Sequence, residues 1–177
     1  MLAVYVYVGV ARGVDQATLS FVQSLHTRWL DLVASIVTLA GDASVTAGIA
    51  AGLVVARLRQ RRPEVLVPLA IAVTVVAELI LKAIVPQSPP PGELSRSIAI
   101  LPTFHAPVPY SFPSGHLARL SFLLVITRAP SWLSLIAIVL MGVTRIYLAE
   151  HWLSDVIGGM LLGLLVAWGV RLLGSRR

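Results

Sequence analysis

The sequence predicts an all-α integral membrane protein, a bundle of five to six transmembrane helices with an active site at one membrane face. Of its 177 residues, 57% are hydrophobic and only 12% are charged, whereas about a quarter of the residues in soluble domains are charged. Several apolar runs approach the length of about 20 residues that a helix needs to cross a bilayer. The few charged side chains concentrate near the ends of these runs. Residues 1–177 are therefore interpreted as one membrane domain.

The basic residues are almost all arginine and lie just beyond apolar runs. The net charge is +6, and Lys82 is the only lysine in the sequence. Arginines cluster at residues 57–62 and 171–177, as expected for segments that stay in the cytoplasm. In a soluble protein such clusters would suggest nucleic acid, but here they indicate topology, so we expect membrane lipids and no nucleic acid as partners. The absence of cysteine excludes disulfides, thiolate metal sites and a cysteine nucleophile.

Residues 1–40 permit two interpretations. Residues 1–12 are apolar but too short to span a membrane, and they lack the charged start and cleavage site of a secretory signal. Residues 15–28 mix charged and polar side chains with Leu, Phe and Val, a pattern typical of a helix in the membrane interface. A further apolar stretch begins at Trp29. The segment therefore contains an interfacial helix, a first span, or both.

Apolar spans follow over residues 41–85. The first lies at about residues 43–55 and the second at residues 65–85, where only Glu78 and Lys82 interrupt the apolar run. Both charged residues are near the end of their span, so we expect them at a membrane face.

A proline-rich loop separates these spans from the rest. Residues 86–112 hold most of the prolines and cannot form a regular helix, so we expect an active-site loop there. Residues 113–173 contain three further spans, at residues 114–127, 132–148 and 153–173.

The arginine clusters also predict orientation. If residues 57–62 and the C-terminus are cytoplasmic, Lys82, the proline-rich loop and segments 113–116 and 145–155 all fall on the opposite face. We therefore expect a protein of the cell membrane whose active site faces outside and whose C-terminus is cytoplasmic.

A histidine and an aspartate on this outer face have the spacing of a catalytic pair. Titratable groups are costly near lipid, so their presence there indicates function. His151 can act as a nucleophile, and Asp155, four residues later on the same helix face, can bond its ring and fix the tautomer. Alternatively, the two residues are a structural pair at a helix end.

Segment 113–116 predicts a helix start that binds an anion. Ser114 is a good N-cap residue, and the amides of Ser114, Gly115 and His116 would point toward a phosphate group. His116 can then donate a proton to the leaving group.

Two cations complete a site suited to cleaving phosphate esters. Arg145 offers a planar fork that matches two phosphate oxygens, and Lys82 adds a point charge. Lys82 and Glu78 could equally form a structural pair at the membrane rim. We see no carboxylate cluster suited to a metal ion, so no metal and no cofactor is expected.

Together these residues resemble the type 2 phosphatidic acid phosphatase superfamily, which includes vanadium haloperoxidases and glucose-6-phosphatase. That family carries three motifs: Lys-x6-Arg-Pro, Pro-Ser-Gly-His and Ser-Arg-x5-His-x3-Asp. The second is complete at residues 113–116. In the third, Thr144 replaces the leading serine, and the other members are Arg145, His151 and Asp155. The resemblance covers about residues 78–160.

The resemblance implies six spanning helices and a metal-independent reaction on lipid phosphates or diphosphates. His151 would form a phosphohistidine, Asp155 would orient it, and His116 would protonate the leaving group. The resemblance assigns phosphate binding to four residues: Lys82, Ser114, Gly115 and Arg145.

The first motif departs from the family pattern. Pro89 occupies its arginine position, so one phosphate contact is lost or comes from elsewhere. Arg119, in the helix that follows the second motif, and Arg96, in the proline-rich loop, are the candidates, and we favour Arg119. Alternatively, Arg119 pairs with Glu78 or Glu150 and never meets the substrate.

We therefore expect hydrolysis of a lipid phosphate or pyrophosphate at the extracytoplasmic face. A polyprenyl pyrophosphate of the undecaprenyl or dolichyl type is the first candidate substrate, and a phosphatidic acid-type lipid is the second. A lipid phosphotransferase differs only in that an alcohol replaces water. The interpretation from another class is a membrane protein that binds phospholipid and has weakened catalysis. No oligomeric state is predicted.

Overall fold

The computed structural model of the chain describes residues 1–7, 9–62, 64–100 and 109–174. These residues form eight α-helices and no β-strand, so the all-α prediction is confirmed. In chain order the helices are α1 (Leu2–Tyr7), α2 (Arg12–Ser24), α3 (Arg28–Thr38), α4 (Ala43–Arg59), α5 (Ile71–Ile84), α6 (Gly115–Ile126), α7 (Ser131–Tyr147) and α8 (Leu153–Gly174). Three short 3-10 turns accompany them, at Leu39–Gly41, Val67–Ala70 and Gly92–Leu94.

The length of the apolar helices identifies some of the spans. Val67–Ile84 and Leu153–Leu173 are long and apolar enough to cross a membrane. Arg28–Gly41 and Ala43–Arg59 meet at a bend of 43° and give a third span if they act as one broken helix. Because α6 and α7 are apolar but only 12 and 17 residues long, the described residues yield two to three spans by length. The total of five to six stays a prediction.

Apolar side chains cover the outer surface of α8. Leu165, Trp168 and Leu173 are 67%, 61% and 69% exposed. A contiguous apolar surface of this kind is unfavourable in water, whereas lipid chains solvate it. The chain is therefore an integral membrane protein, with membrane lipids as its immediate surroundings.

The contact between α6 and α8 forms the centre of the bundle. A side chain added at Gly159 would collide with the main-chain oxygen of Ser114, and one added at Gly163 would collide with that of Ala118. Two glycines four residues apart thus let the helix backbones approach closely. The contact holds the start of α6 against α8, where the candidate site lies.

A left-handed turn ends α7 and leads to the next site residues. Ala149 has a φ of 54°, a conformation that L-residues rarely adopt. The amides of Glu150 and His151 donate to the main-chain oxygen of Arg145 over 3.1 and 3.3 Å. His151 therefore lies in a short, hydrogen-bonded link that ends where α8 begins.

The proline-rich loop is irregular in its described part, where its one helical element is the turn Gly92–Leu94. His26 and His105 have no catalytic partner at a recognisable spacing in the sequence, so both are expected to be non-catalytic. His105 lies outside the described residues. His26 is exposed, and its Nδ1 lies 3.1 Å from the main-chain oxygen of Gln23, away from the other site candidates.

Candidate active site

Helix ends and the turn between α3 and α4 surround one cavity of about 510 Å³. Its walls carry residues that the sequence singles out, namely Lys82, Gly115, His116, Arg119, Arg145 and His151. Asp42, Glu78 and Glu150 add carboxylates, and Pro89 and Tyr110 of the proline-rich loop also line the cavity. Segments that are distant in sequence therefore meet at one place in the fold.

Asp155 holds the ring of His151. The Nδ1 atom of His151 lies 3.2 Å from Asp155 Oδ2, and this oxygen also accepts a hydrogen bond of 2.9 Å from the main-chain N–H of Trp152. Because Nδ1 is engaged by the carboxylate, Nε2 is the ring nitrogen available for attack. Burial lowers the pKa of His151 below its ordinary value of 6.5, although the Asp155 carboxylate opposes the shift. The lowered pKa favours the neutral form of the ring near neutral pH.

The start of α6 is tied to the start of α8. Ser114 occupies the predicted N-cap position, but its hydroxyl makes no capping bond and, within the described part of the chain, has no hydrogen-bond partner. The main-chain N–H of Ser114 donates to the main-chain oxygen of Asp155 over 2.9 Å. His116 follows Gly115 in the first turn of α6 and lines the cavity, so its ring is placed on the same cavity as His151.

Lys82 is bound to both the loop and a carboxylate. Its Nζ donates to the main-chain oxygen of Tyr110 over 3.0 Å and lies 3.6 Å from Glu78 Oε1. The structural pair considered from the sequence therefore exists, and it lies in the cavity wall rather than away from the site.

Arg119 also pairs with Glu78. Its Nη1 lies 3.0 Å from Glu78 Oε2, while its Nε and Nη2 donate to the main-chain oxygen of Gly41 over 3.3 and 3.2 Å. Arg119 therefore forms the pair with Glu78 that was the alternative from the sequence, and it also lines the cavity. Its contact with a phosphate stays a prediction.

Arg96 lies elsewhere. Its Nη1 is 3.9 Å from Asp31 Oδ2, and its main-chain N–H donates to the main-chain oxygen of Leu148 over 3.2 Å. Arg119 lines the cavity and Arg96 does not, so Arg119 is the better candidate for the missing phosphate contact.

Arg145 is buried with part of its fork still available. Its Nη1 donates to Thr38 Oγ1 over 2.8 Å, and its Nη2 lies 3.7 Å from Glu150 Oε2. Its Nε has no hydrogen-bond partner among the described residues. A buried guanidinium with an unpaired donor beside a cavity is suited to bind an oxyanion.

Several contributors to the site were missed from the sequence. Thr38 accepts a bond from Arg145, and the main-chain oxygen of Gly41 accepts two from Arg119. A threonine in an apolar run and a main-chain carbonyl carry no recognisable pattern, so no signal in the sequence identifies them.

Asp15 of α2 was also missed, because it reads as one of several polar residues of an interfacial helix. It is only 3% exposed. Its Oδ1 accepts from the main-chain N–H of Ser154 over 2.8 Å, and its Oδ2 accepts from the Ser154 hydroxyl over 2.7 Å. Burial raises the pKa of Asp15. This carboxylate caps the start of α8 one residue before Asp155 and thereby supports its position.

Across the described ranges, no group of three or more His, Cys, Asp or Glu side chains is arranged to hold a metal ion. The independence of the reaction from metal stays a prediction.

Known proteins resemble this chain in sequence. A model of the PAP2 superfamily matches residues 63–177. A segment of 62 residues is 40% identical to an undecaprenyl-diphosphatase of Sulfolobus acidocaldarius, and it makes up 32% of this chain and 30% of that relative.

Two solved structures share the fold. The crystal structure of the first transmembrane PAP2 type phosphatidylglycerolphosphate phosphatase, from Bacillus subtilis, superposes with a TM-score of 0.79 at 21% identity, over 99% of this chain and 91% of that chain. LpxE of Aquifex aeolicus superposes with a TM-score of 0.65 at 20% identity, over 93% of this chain and 96% of that chain.

Membrane phosphatases acting on lipid phosphates are the class to which the PAP2 relatives and structural neighbours belong. The family match covers more than half of the chain and includes all the motif residues from Lys82 to Asp155. The chain belongs to the PAP2 superfamily. The predicted family and the predicted enzyme class are both confirmed.

Proposed function

We propose that this chain hydrolyses a lipid phosphate or diphosphate through a phosphohistidine formed on His151. The observation that carries the proposal is the single cavity lined by His151, His116 and three cations. A nucleophile with its orienting carboxylate, a proton donor and charges for the phosphate oxygens are the groups that phosphoryl transfer requires.

The first step transfers the phosphoryl group to the enzyme. The Nε2 atom of His151 attacks phosphorus, and the bond from phosphorus to the leaving oxygen breaks. His116 donates its proton to that oxygen. Asp155 stabilises the positive charge that develops on the nucleophilic ring, and Lys82 and Arg145 neutralise the phosphoryl oxygens.

The second step returns the enzyme to its starting state. Water attacks phosphorus, the bond from phosphorus to Nε2 of His151 breaks, and the proton of the water goes to His116. Inorganic phosphate leaves. If an alcohol takes the place of water, the same step gives a phosphotransferase.

Arg119 supplies the phosphate contact that the first motif lacks. Pro89 stands at the arginine position of that motif and lines the cavity, where its ring has no group to bind an oxyanion. The guanidinium of Arg119 reaches the same cavity from α6. A planar fork delivered from a different helix can bind the same phosphate oxygens.

The substrate is a polyprenyl diphosphate taken from the outer leaflet. The partial similarity to an undecaprenyl-diphosphatase supports the choice of lipid. The arginines of the loop after α4 and of the C-terminal segment support the orientation, because they favour the cytoplasm and the cavity lies at the other end of α5.

Phosphate release from a panel of lipids tests the proposal. The whole chain in detergent is supplied with polyprenyl diphosphate, polyprenyl monophosphate, phosphatidic acid and phosphatidylglycerolphosphate, with and without chelator. We expect release from at least one lipid, highest for polyprenyl diphosphate and unaffected by chelator. Failure with every lipid would favour the binding protein, and abolition by chelator would contradict the metal-free mechanism.

The acceptor of the phosphoryl group, water or an alcohol, distinguishes a hydrolase from a phosphotransferase. Adding a short alcohol during turnover should divert little phosphate if water is the natural acceptor. Predominant formation of a phosphorylated alcohol would assign the chain as a phosphotransferase.

A further inference from the structure

A carboxylate occupies the position between two cations of the cavity. Glu78 Oε1 lies 3.6 Å from Lys82 Nζ, and Glu78 Oε2 lies 3.0 Å from Arg119 Nη1. The side chain of Glu78 is 13% exposed, and those of its two partners are 11% and 9% exposed. The interaction is therefore largely shielded from solvent, where charge pairing is stronger than at an open surface.

The same carboxylate lies against the start of α6. A side chain added at Gly115 would collide with both carboxylate oxygens of Glu78 before any other group. Gly115 is the first residue of α6, and the N-terminal turn of a helix favours negative charge. Glu78 thus brings an anion to a place where two cations and a helix terminus all favour one.

A phosphoryl group needs the same partners. In the proposed reaction, which this inference presupposes, Lys82 and Arg119 bind phosphate oxygens beside Gly115. A carboxylate and a phosphate cannot both occupy that position, because their like charges repel each other at short range.

We propose that Glu78 is a tethered competitor for the phosphate group. It holds the anion position in the empty site and moves aside when a phosphate binds. Every incoming anion therefore has to replace a carboxylate that is already held by two cations. Anions with few charges, such as the phosphodiester groups of bulk membrane lipids, are kept out, while phosphomonoester and diphosphate groups gain enough from the cations to enter.

Binding of inorganic phosphate to the whole chain in detergent tests this directly, by calorimetry or by thermal stabilisation. Glu78→Gln keeps the size of the side chain and removes its charge, so phosphate should bind about tenfold more tightly, as for a typical coupling between two binding groups. Glu64→Gln is the matched control, because Glu64 follows α4 at the opposite end of the bundle. It should leave phosphate affinity unchanged.

A double variant identifies the cation for which the two anions compete. In an Arg119→Gln background, Glu78→Gln should improve phosphate binding by a much smaller factor, because the guanidinium for which Glu78 and phosphate compete is absent. An equal gain in both backgrounds would show that Arg119 is not the contested group and would overturn the proposal.

Unchanged or weaker phosphate binding in Glu78→Gln would also overturn it, because Glu78 would then hold the cations in place instead of competing for them. If Glu78→Gln does not fold, Glu78→Asp, which keeps the charge and withdraws it by one methylene, should still bind phosphate more tightly than the wild type.

Turnover adds an independent readout. For a hydrolysed lipid phosphate, Glu78→Gln should lower KM with little change in kcat. Should the wild type release phosphate from no lipid, the proposed function fails, while the phosphate-binding comparison still decides the role of Glu78.

Discussion

At the scale of single residues, the proposed mechanism gives the two histidines different chemical tasks, so different losses are expected when each is removed. His151→Ala removes the atom that bonds phosphorus, so kcat should fall by about 10⁴- to 10⁶-fold. His116→Ala removes a proton donor and should lower kcat by about 10²- to 10⁴-fold. Steady-state rates of phosphate release measure both.

The leaving group separates these roles further. An activated aryl phosphate needs little proton donation, so it should recover much of the rate lost in His116→Ala and none of that lost in His151→Ala. Near-normal turnover of His151→Ala on any substrate would rule out the nucleophile assignment.

The pH dependence of the reaction follows from the burial of His151. Only its neutral ring is a nucleophile, and burial lowers its pKa below 6.5. The fraction of neutral ring, and with it kcat/KM, should stay high at pH 6.5 and fall as the pH drops through the lowered pKa. A pH profile of kcat/KM checks this, and the acidic limb should persist in the residual activity of His116→Ala. An acidic limb centred above pH 6.5 would contradict the assignment.

The proximity of the candidate catalytic residues was predictable because it depends on residue type and spacing, while their roles stay predictions. His151 and Asp155 are four residues apart, and the structure joins them by the expected bond of 3.2 Å. The pairing of Lys82 with Glu78 followed from the same spacing of four residues, but the partners of the two arginines were not predictable in this way. Whether Arg119 meets Glu78 depends on how α5 packs against α6, and the sequence alone left Glu78 and Glu150 as equal possibilities.

At the scale of elements, the turn between α3 and α4 packs against His116, the proposed proton donor. A side chain added at Gly41 would come within 2.9 Å of the Cβ atom of His116 and 3.2 Å of its Cα, so the residue bearing the ring would have to shift. Gly41→Ala should therefore lower kcat about 10- to 100-fold, as small misplacements of catalytic groups do, with little change in the amount of folded protein.

Gly48→Ala is the control for this change. Gly48 lies in the adjoining α4, and an added side chain there would meet nothing within 4 Å. Kinetic constants of the two variants are compared directly, and equal activity would mean that Gly41 does not position His116.

The close contact between α6 and α8 should determine the stability of the fold. Gly163→Ala would force a methyl group against the main-chain oxygen of Ala118 and should destabilise the fold by about 1–3 kcal/mol. Gly169→Ala, in the same helix, meets nothing within 4 Å and should be neutral or stabilising by up to about 1 kcal/mol. Melting temperatures in one detergent provide the comparison, and equal values would show that the helices can separate without loss.

The positions of the individual helices and of the bend were less predictable from the sequence than the all-α class. The apolar runs located α5, α7 and α8. At the bend of 43° after Gly41, Asp42 caps α4 by accepting a hydrogen bond of 2.8 Å from the main-chain N–H of Ser44, and the carbonyl of Gly41 accepts a hydrogen bond from Arg119. A pattern of apolar residues cannot reveal which carbonyl leaves a helix to meet a side chain from another one.

At the scale of the whole molecule, the arginine-rich end and the candidate active site lie at opposite ends of the bundle. The arginine-rich loop after α4 and the end of α8 meet at one end of the bundle, where Arg57, Arg128 and Arg171 line a common cavity. The candidate active site lies at the other end. We expect a membrane-impermeant reagent to reach a cysteine placed at Ser88 in intact cells and not one placed at Gln60. The reverse labelling pattern would invert the proposed orientation.

The candidate site includes residues that lie outside the region matched by the family model. Residues 63–177 match the family model and carry every motif residue, yet Arg145 and Arg119 are held by Thr38 and Gly41, which come before that region. Cut at the arginine-rich loop, the chain would give one piece with the candidate reactive groups and another that contributes Asp42 to the cavity wall, the Thr38 hydroxyl, the Gly41 carbonyl and the Asp15 cap of α8. Neither piece alone contains the complete candidate site, so the phosphatase activity proposed for this chain would, in a split form, report on the assembly of its two halves.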